Sequence, residues 1–527
     1  MRQEAYDVVV IGGGAAGLSG ALVLARSRRT VLVVDSGEPR NAPADHMHNY
    51  LGYDGRPPAE LLAAGRAEIA KYGAEFVTAT AEHAERDDDG FVVTLNDNSR
   101  VRAKRLLVTT GLVDELPDIP GLAQRWGRDV AHCPYCHGWE VRDKRIGVLV
   151  SSPMAFHSTQ MWRQLSPHVL YLLNGGAAPA PEQAEQLAAR GIPVVAGRIG
   201  SVQVDNDQIT GVRLEDGTEI ALDAIAVGPR FVARSALLES LGLKAADFEM
   251  NGAVLGSHIP AEPNGATAVP GVWVAGNVTN LGATVAVAAA AAQATGAMIN
   301  MDLITAENKE AVAAYRHRAA TMFTQEAWEE RYRSRGIVWS GRPNPQLVLE
   351  AADLPAGRAL DVGAGEGADA VWLAEHGWQV TAADISSVAL TRAAGHATTA
   401  GAAVAEKITF SHTDLRTAPP AEQSYDLVSA QFMHLPPDER RELWAHLAAA
   451  VAPGGTLLIV GHHPSDLVTT AGRFHFPDML FTAEEVAAGL DASAWDVVAA
   501  EARPRQATDP DGRDITVHDA VLVARRR

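Results

Sequence analysis

Apolar runs recur along this chain, and each is followed by a stretch with helical spacing. Val8-Val9-Val10-Ile11 reads as a strand, after which Leu18, Ala21, Leu22 and Ala25 share one helix face. Val31-Leu32-Val33-Val34 then forms the next strand and ends on Asp35. The alternation returns at residues 145–150, with a helix around 156–165 and a strand at 169–173. It returns again in the second half, where residues 359–362, 378–383, 408–413, 425–430 and 454–460 all read as strands. The pattern predicts an α/β fold throughout. One run, residues 281–299, is nearly all Ala, Val and Gly. Alanine is a weak membrane former and Gln293 interrupts the run, so a buried helix explains it better than a span.

A length of 527 residues corresponds to roughly three or four domains. Hydrophobic content of 47% and charged content of 21% are ordinary for a folded protein. The net charge of −19 argues against nucleic acid or an anionic membrane surface as partner. The N-terminus runs straight into the first strand without the pattern of a signal peptide, so a soluble cytoplasmic protein is expected.

Only two cysteines are present, Cys133 and Cys136, in His132-Cys133-Pro134-Tyr135-Cys136-His137. A structural disulfide framework would need more of them in a smaller secreted chain. The Cys-x-x-Cys spacing lowers one thiol's pKa and so provides a thiolate near neutral pH. Two other readings stand beside a reversible disulfide. One is half a zinc site completed by His132 or His137, although no second Cys pair exists; the other is two ordinary buried cysteines. The redox reading requires an electron carrier nearby. No cluster with metal-ligand spacing is found elsewhere, so no metal is expected.

Two glycine fingerprints supply candidate cofactor sites. The first, Gly12-Gly13-Gly14-Ala15-Ala16-Gly17, stands between strand and helix with Asp35 ending the next strand. In a dinucleotide-binding βαβ unit Gly12 turns tightly, Gly14 admits the pyrophosphate, and Gly17 lets helix and strand pack closely. The helix N-terminus faces the phosphates and Asp35 can bond a ribose hydroxyl. The late element Pro270-Gly271-Val272-Trp273-Val274-Ala275-Gly276-Asn277-Val278 precedes the alanine-rich helix.

Together these three features resemble the low-molecular-weight thioredoxin reductase family of flavoproteins, over roughly residues 5–303. The resemblance implies FAD held by Gly12, Gly14, Gly17 and Asp35, with Gly276 and Asn277 at the ribityl chain. The family usually has Asp where Asn277 stands, and the amide can still hydrogen-bond the flavin chain. The resemblance also implies that Cys136 faces the flavin while Cys133 exchanges with the outside thiol. His137 stands where reductases usually place an acid and is the candidate proton shuttle, its ordinary pKa suiting that role. Cys-Pro-Tyr-Cys also occurs in glutaredoxins, but there it lies near the N-terminus of a small protein.

The middle region departs from that family. A thioredoxin reductase inserts a second dinucleotide fold for NADPH, and its strands are present here. Its glycine loop is not: the chain reads Ser151-Ser152-Pro153-Met154-Ala155, and the following strand ends in Asn174-Gly175-Gly176 without a basic pair. NADPH use is therefore doubtful. The combination looks like the dithiol oxidases that close the disulfide of gliotoxin- and holomycin-type natural products, with electrons passing from a dithiol to FAD and on to oxygen. Relatives that take electrons from ferredoxin or another flavin would show the same missing loop.

The second fingerprint reads Asp361-Val362-Gly363-Ala364-Gly365-Glu366-Gly367, and the next strand ends on Asp384. Glu366 in the loop would repel a pyrophosphate but tolerate a sulfonium. This half resembles class I S-adenosylmethionine-dependent methyltransferases, over roughly residues 324–523. In that resemblance Asp361 belongs to the fingerprint, Gly363, Gly365 and Gly367 make room for the methionine and ribose, Asp384 takes the ribose hydroxyls, and Asp414 lies near the adenine. The leading Trp328, Tyr332 and Trp339-Ser340-Gly341 look like the cap of small-substrate members such as thiopurine and tellurite methyltransferases. Methyl transfer needs positioning and a deprotonated acceptor. His434 and His462-His463, at strand ends, are candidates to take the proton or to shape the pocket.

The expected architecture is a thioredoxin-reductase-like two-domain FAD/NAD(P)-binding Rossmann-type fold followed by a methyltransferase Rossmann-like fold. Its segments are 1–112 and 247–303 (FAD-binding), 113–246 (NAD(P)-binding-like), 304–323 (linker helix) and 324–527 (methyltransferase). Three functions stay open. One is a bifunctional enzyme that oxidises a small dithiol, with oxygen or another acceptor, and methylates a thiol. Another is a reductase using NADPH or another reductant, fused to a methyltransferase for an unrelated molecule. The last is a redox sensor gating the methyltransferase. A homodimer is expected.

Overall fold

The computed structural model describes residues 5–250, 252–471 and 476–527. Residues 1–4, read above as leading into the first strand, lie outside the described residues. The chain divides into two compact units, Met1–Asn308 and Lys309–Arg527.

In the first unit the strand Ala5–Ile11 lies between Val31–Asp35 and Arg100–Val108, parallel to both. Glu75–Thr78 continues the sheet on one side, and Val272–Val274 returns late in the chain to pair with Arg100–Val108. Successive residues of the first strand serve opposite faces: Val9 and Ile11 join one core cluster, Val8 and Val10 the other. A strand covered on both faces has no position left for a polar residue, which is why this segment reads as an unbroken apolar run.

A second sheet is wholly parallel, in the order Val194–Val195, Val169–Leu172, Ile146–Leu149, Ala224–Val227, Val130–Ala131. The chain enters and leaves this region along Leu112–Glu115 and Arg230–Ala233, which pair antiparallel. The redox segment Pro134–His137 forms a short helix just after Val130–Ala131.

The alanine-rich run and the expected joining helix are one continuous helix, Val285–Thr321. It is long and apolar enough to cross a membrane by composition alone. Its small residues have another use: Ala288, Ala292, Ile299 and Leu303 are core partners of Val8 and Val10. A Cβ on Gly296 would come within 3.0 Å of the Gly20 carbonyl, so the two helices meet at glycine.

The second unit holds one seven-stranded sheet, ordered Ile408–His412, Gln379–Asp384, Arg358–Val362, Tyr425–Gln431, Val451–His462, Asp514–Arg526, Trp495–Thr508. The first five strands are parallel, Asp514–Arg526 runs antiparallel to them, and Trp495–Thr508 pairs antiparallel to Asp514–Arg526. Chain order reverses between Arg358–Val362 and Tyr425–Gln431, and open α/β sheets bind ligands at the carboxyl side of such a switch point.

Candidate functional site

The first glycine loop is shaped by contacts no side chain could share. Gly12 has φ +103°, and a Cβ on Gly17 would lie 1.8 Å from the Gly12 carbonyl oxygen. Around Gly14 the space is open, leaving a cradle at the start of helix Ala15–Arg26. Asp35 accepts the Gly13 N–H at 2.5 Å and the Gly37 N–H at 2.9 Å, so its carboxylate braces the loop. These features fit FAD: backbone amides at a helix N-terminus for the pyrophosphate and an oriented carboxylate for a ribose.

Gly12, Gly14, Asp35, Cys133, Cys136 and Asn277 all line one cavity of about 1510 Å³. Gly17 and Gly276 are not in its wall; Gly276 has φ +76°, and a Cβ there would press on Ala16. Asn277 behaves differently from the expectation. Its amide nitrogen donates to the carbonyls of Asn280 (3.1 Å) and Ala283 (2.9 Å), holding the turn that leads into the long helix. That leaves its side-chain carbonyl oxygen for a ligand. A carboxylate could not donate to those carbonyls, which gives the Asn a physical reason.

Cys133 and Cys136 lie at disulfide distance, their Cα atoms 5.2 Å apart. The turn closes with the Cys136 and His137 N–H groups on the Cys133 carbonyl, both at 3.1 Å. Gly138 is required here, since a Cβ would meet Leu165 Cδ1 and the Pro134 carbonyl at 2.2 Å. The loop before helix Pro58–Ala70 grips this turn: Asn49 donates to the Tyr135 carbonyl at 2.6 Å, and His48 Nε2 lies 3.2 Å from Glu140. The second nitrogen of His48 faces Asp54 at 3.4 Å.

His137 lines the same cavity, and its Nε2 is buried without a hydrogen-bond partner. Burial pushes its pKa below the ordinary imidazole value; Glu140 opposes this and His48 adds to it. A neutral imidazole with an unused nitrogen beside two sulfurs can accept a thiol proton. His132 is a packing residue, stacked on Trp126 and edge-on to Phe231, and burial pushes its pKa down to about 4. Among the described residues no group of three or more His, Cys, Asp or Glu is placed to hold a metal ion.

In the parallel sheet, the segment after Ile146–Leu149 is laced to the neighbouring strand's end. Ser151 Oγ donates to the Gly228 carbonyl at 2.8 Å and accepts the Gly228 N–H at 3.1 Å. These bonds cross the crevice between Ile146–Leu149 and Ala224–Val227, where chain order reverses.

In the second unit Gly363, Gly365 and Gly367 all have left-handed backbone, with φ +68°, +56° and +81°. A Cβ on Gly363 would strike Met433 Sδ at 2.5 Å, and one on Gly365 would crowd Tyr332 and Trp339. Asp384 accepts the Gly365 N–H at 2.9 Å and the Ser386 N–H at 2.7 Å; burial raises its pKa. Asp361 is 2% exposed, its Oδ2 has no hydrogen-bond partner, and burial raises its pKa well above the ordinary value. A buried carboxyl with one oxygen left unpartnered, under a glycine loop, fits a cationic ligand such as the ammonium and sulfonium of S-adenosylmethionine.

Glu366 does not present its charge to a ligand. It accepts the N–H groups of Val338 (3.3 Å) and Trp339 (3.1 Å) and pairs with Arg392 at 2.8 Å. Arg392 also donates to the carbonyls of Tyr332 and Arg335, so the glutamate fastens the 332–339 segment onto the loop. Trp339 donates to the Tyr332 hydroxyl at 2.9 Å, and burial pushes that phenol up to about 12. Asp414 is held by Arg416 in a two-pronged pair, with Nη2 at 2.8 Å, which lowers its pKa. With Thr324, Gln325 and His412 these two line a small pocket next to the Asp384 strand.

His434 Nε2 accepts the His462 N–H at 3.0 Å, and the two rings stack at 4.7 Å. The accepting nitrogen of His434 is thus already used, and of the two rings His462 is the more open to solvent. Phe432, which sequence reasoning passed over, has φ +57°, and its ring lies 4.6 Å from that of His462, tilted by 43°. A bulky residue in left-handed conformation at a strand end is a mark of a functional site.

Comparison with known proteins matches residues 6–294 to the pyridine nucleotide-disulphide oxidoreductase family and residues 359–455 to a methyltransferase domain. Thioredoxin reductase tcpT of Claviceps purpurea is 34% identical over 253 residues, 45% of this chain and 78% of the relative. Thioredoxin reductase sirT of Leptosphaeria maculans is 30% identical over 289 residues, 52% of this chain and 86% of the relative. The crystal structure of HlmI shares 41% identity with a TM-score of 0.56, covering 61% of this chain and 99% of that one. An oxidoreductase from Agrobacterium tumefaciens gives 35% identity, a TM-score of 0.53, and coverage of 57% and 99%. FAD is the cofactor implied by the first match and S-adenosylmethionine by the second. The chain belongs to the pyridine nucleotide-disulphide oxidoreductase family, as a thioredoxin-reductase-like enzyme that carries a methyltransferase domain in the same polypeptide.

Proposed function

We propose that the first unit oxidises a small organic dithiol to its disulfide and that the second methylates a thiol, in the simplest case one from the same compound. The observation that carries the first half is the contrast between two loops that line one cavity. Cys133 and Cys136 share that cavity with the Gly14 cradle. The loop where NADPH would bind, Ser151 to Ala155, lacks the glycines and is laced to Gly228 by Ser151. Electrons then come from the thiol substrate rather than from a pyridine nucleotide.

In the exchange step a substrate thiolate attacks Cys133, and Cys136 leaves as a thiolate that takes a proton. The second substrate thiol, deprotonated by His137, attacks the substrate sulfur of the mixed disulfide and releases Cys133. The substrate leaves as a disulfide, and the enzyme holds two thiols. FAD, held by Gly12, Gly14, Gly17 and Asp35 with Asn277 alongside, would supply the two-electron acceptor that restores the Cys133–Cys136 bond, with oxygen as the final acceptor.

In the second unit Asp384 and the Gly363–Gly367 turn would hold the ribose and methionine portions, and Asp361 would face the positive charge. His462, aligned by His434 and Phe432, would take the acceptor's proton. Asp414 is tied to Arg416, so its part at the adenine is to fix the pocket wall. A homodimer fits the exposed apolar side of the helix Val285–Thr321, where Val287, Met298 and Met301 stand in solvent. A cytoplasmic setting is part of the same proposal.

Aerobic turnover with dithiothreitol tests the first half. One hydrogen peroxide should appear for each dithiol oxidised, without NADPH. Disulfide reduction that consumes NADPH, with no peroxide from the dithiol, would favour the reductase reading instead.

A further inference from the structure

We propose that one face of the helix Ala155–Leu165 and its leading residue is the specificity wall for the dithiol, and that it selects a compact uncharged organic dithiol. The inference rests on the dithiol-oxidising reading above. Met154, His157, Ser158 and Met161 follow at spacings of three, four and seven, so they share one helix face. All four line the cavity that contains Cys133 and Cys136. The adjoining face of the helix is buried, with Ala155 and Trp162 in the core cluster of the parallel sheet's strands.

The redox turn sits against the far end of this helix. Gly138 lies so close to Leu165 that a Cβ would clash, and Leu165 is one turn beyond Met161. Met161 is therefore the member of the stripe on the redox-pair side.

The chemistry of the stripe does not suit a phosphate. Pro153 has no N–H, the Ala155 N–H is used on the Ser152 carbonyl at 3.0 Å, and Ser151 is closed onto Gly228. No lysine or arginine stands among the four residues. Two thioethers flanking an imidazole and a hydroxyl form a soft, adaptable surface with a few hydrogen-bonding groups. Such a surface accepts a flat or compact sulfur-bearing ring with amide or hydroxyl groups. This face carries no lysine or arginine for the carboxylates of a charged peptide thiol; the cavity's arginines, Arg40, Arg230 and Arg234, stand outside it, the first two paired with Asp114 and Glu115. The place once fitted to a second nucleotide thus serves the substrate.

The test uses the full-length, flavin-loaded protein with two probes, ortho-benzenedithiol and dithiothreitol. Met161→Ala should raise KM for the aromatic probe about tenfold and leave that for dithiothreitol within about twofold, while Met161→Leu, of similar volume, keeps both. Flavin content reports that each variant is folded. A second readout avoids turnover: in a Cys133→Ser, Cys136→Ser protein, the aromatic probe should shift the visible flavin spectrum, with the same loss of affinity when Met161→Ala is added. Equal KM values and equal spectral titrations in all variants would overturn the assignment of this wall and leave dithiol oxidation standing. Failure of the unaltered protein to oxidise either probe would remove the functional reading and this inference with it.

Discussion

His48 Nε2 lies 3.2 Å from Glu140 Oε1, and the two residues act on His137 in opposite directions. Glu140 raises the His137 pKa and His48 lowers it, while burial, the largest effect, lowers it. If neutral His137 is the proton acceptor, dithiol oxidation rises with pH through its pKa. Glu140→Gln should move that limb to lower pH, and His48→Gln to higher pH. Initial rates across the range below neutrality measure both shifts, and shifts of the same sign would contradict the role given to His137.

Cys136→Ser should stop flavin reduction yet leave Cys133 able to hold substrate as a mixed disulfide. Intact-mass measurement after mixing with bis(2-hydroxyethyl) disulfide, which exchanges one half onto Cys133 and releases the other as 2-mercaptoethanol, should find one adduct, removable by excess dithiothreitol. Cys133→Ser should yield none. An adduct on the Cys133 variant and none on the Cys136 variant would reverse the order of the two sulfurs, and continued dithiol oxidation by the Cys136 variant would remove the pair from the mechanism.

His132 couples the first unit's stability to pH. Its folded pKa of about 4 lies below the ordinary value near 6.5, so the folded state disfavours the proton. The stabilisation is complete above about pH 6.5, declines as pH falls, and is lost by about pH 4; the total is on the order of 3 kcal/mol. His132→Phe, which keeps a ring between Trp126 and Phe231, should flatten the acid limb of the melting temperature. An unchanged limb would assign the acid sensitivity to other groups.

Asp361→Asn should make the second unit more stable and bind its ligand worse. Burial, with Asp369 and Asp384 nearby, disfavours the ionised form of Asp361 and costs folding free energy, so a neutral amide there should gain about 1 kcal/mol. The S-adenosylmethionine affinity should fall about tenfold, and that of the product S-adenosylhomocysteine, which keeps the ammonium but lacks the sulfonium charge, less. Calorimetry on both ligands decides; equal losses would place Asp361 away from the sulfonium, and no loss on either would place it away from the ammonium as well.

Glu366→Ala should release the 332–339 segment without unfolding the sheet. It strands Arg392 and two backbone N–H groups at a cost of about 2 kcal/mol. Hydrogen exchange should speed up at Val338 and Trp339 and stay slow in Gln379–Asp384. Uniform acceleration across the unit would mean that Glu366 supports the whole fold.

Much of this was legible where function depends on local backbone. A strand, a glycine turn, a helix and a terminal acid recur as Val8–Asp35 and Asp361–Asp384, and in both the acid accepts a loop amide. The Cys-x-x-Cys turn is likewise a local object. What escaped reading depends on contacts between distant segments or on turns with no signature. Glu366 looked like a loop charge because Arg392, twenty-six residues on, gave no sign of being its partner. His434 and His462 looked equivalent until the backbone of one was found on the ring of the other. That Asn277 also holds a turn could not be read, because the carbonyls it binds belong to an irregular segment. The Arg416 partner of Asp414, only two residues away, could have been read from the sequence.

The most direct measurement is anaerobic flavin reduction in the purified protein, with dithiothreitol and NADPH added separately. The account predicts that dithiothreitol bleaches the visible flavin band quickly, that readmitted air restores it with peroxide release, and that NADPH leaves it unchanged. Rapid bleaching by NADPH with none by the dithiol would contradict it.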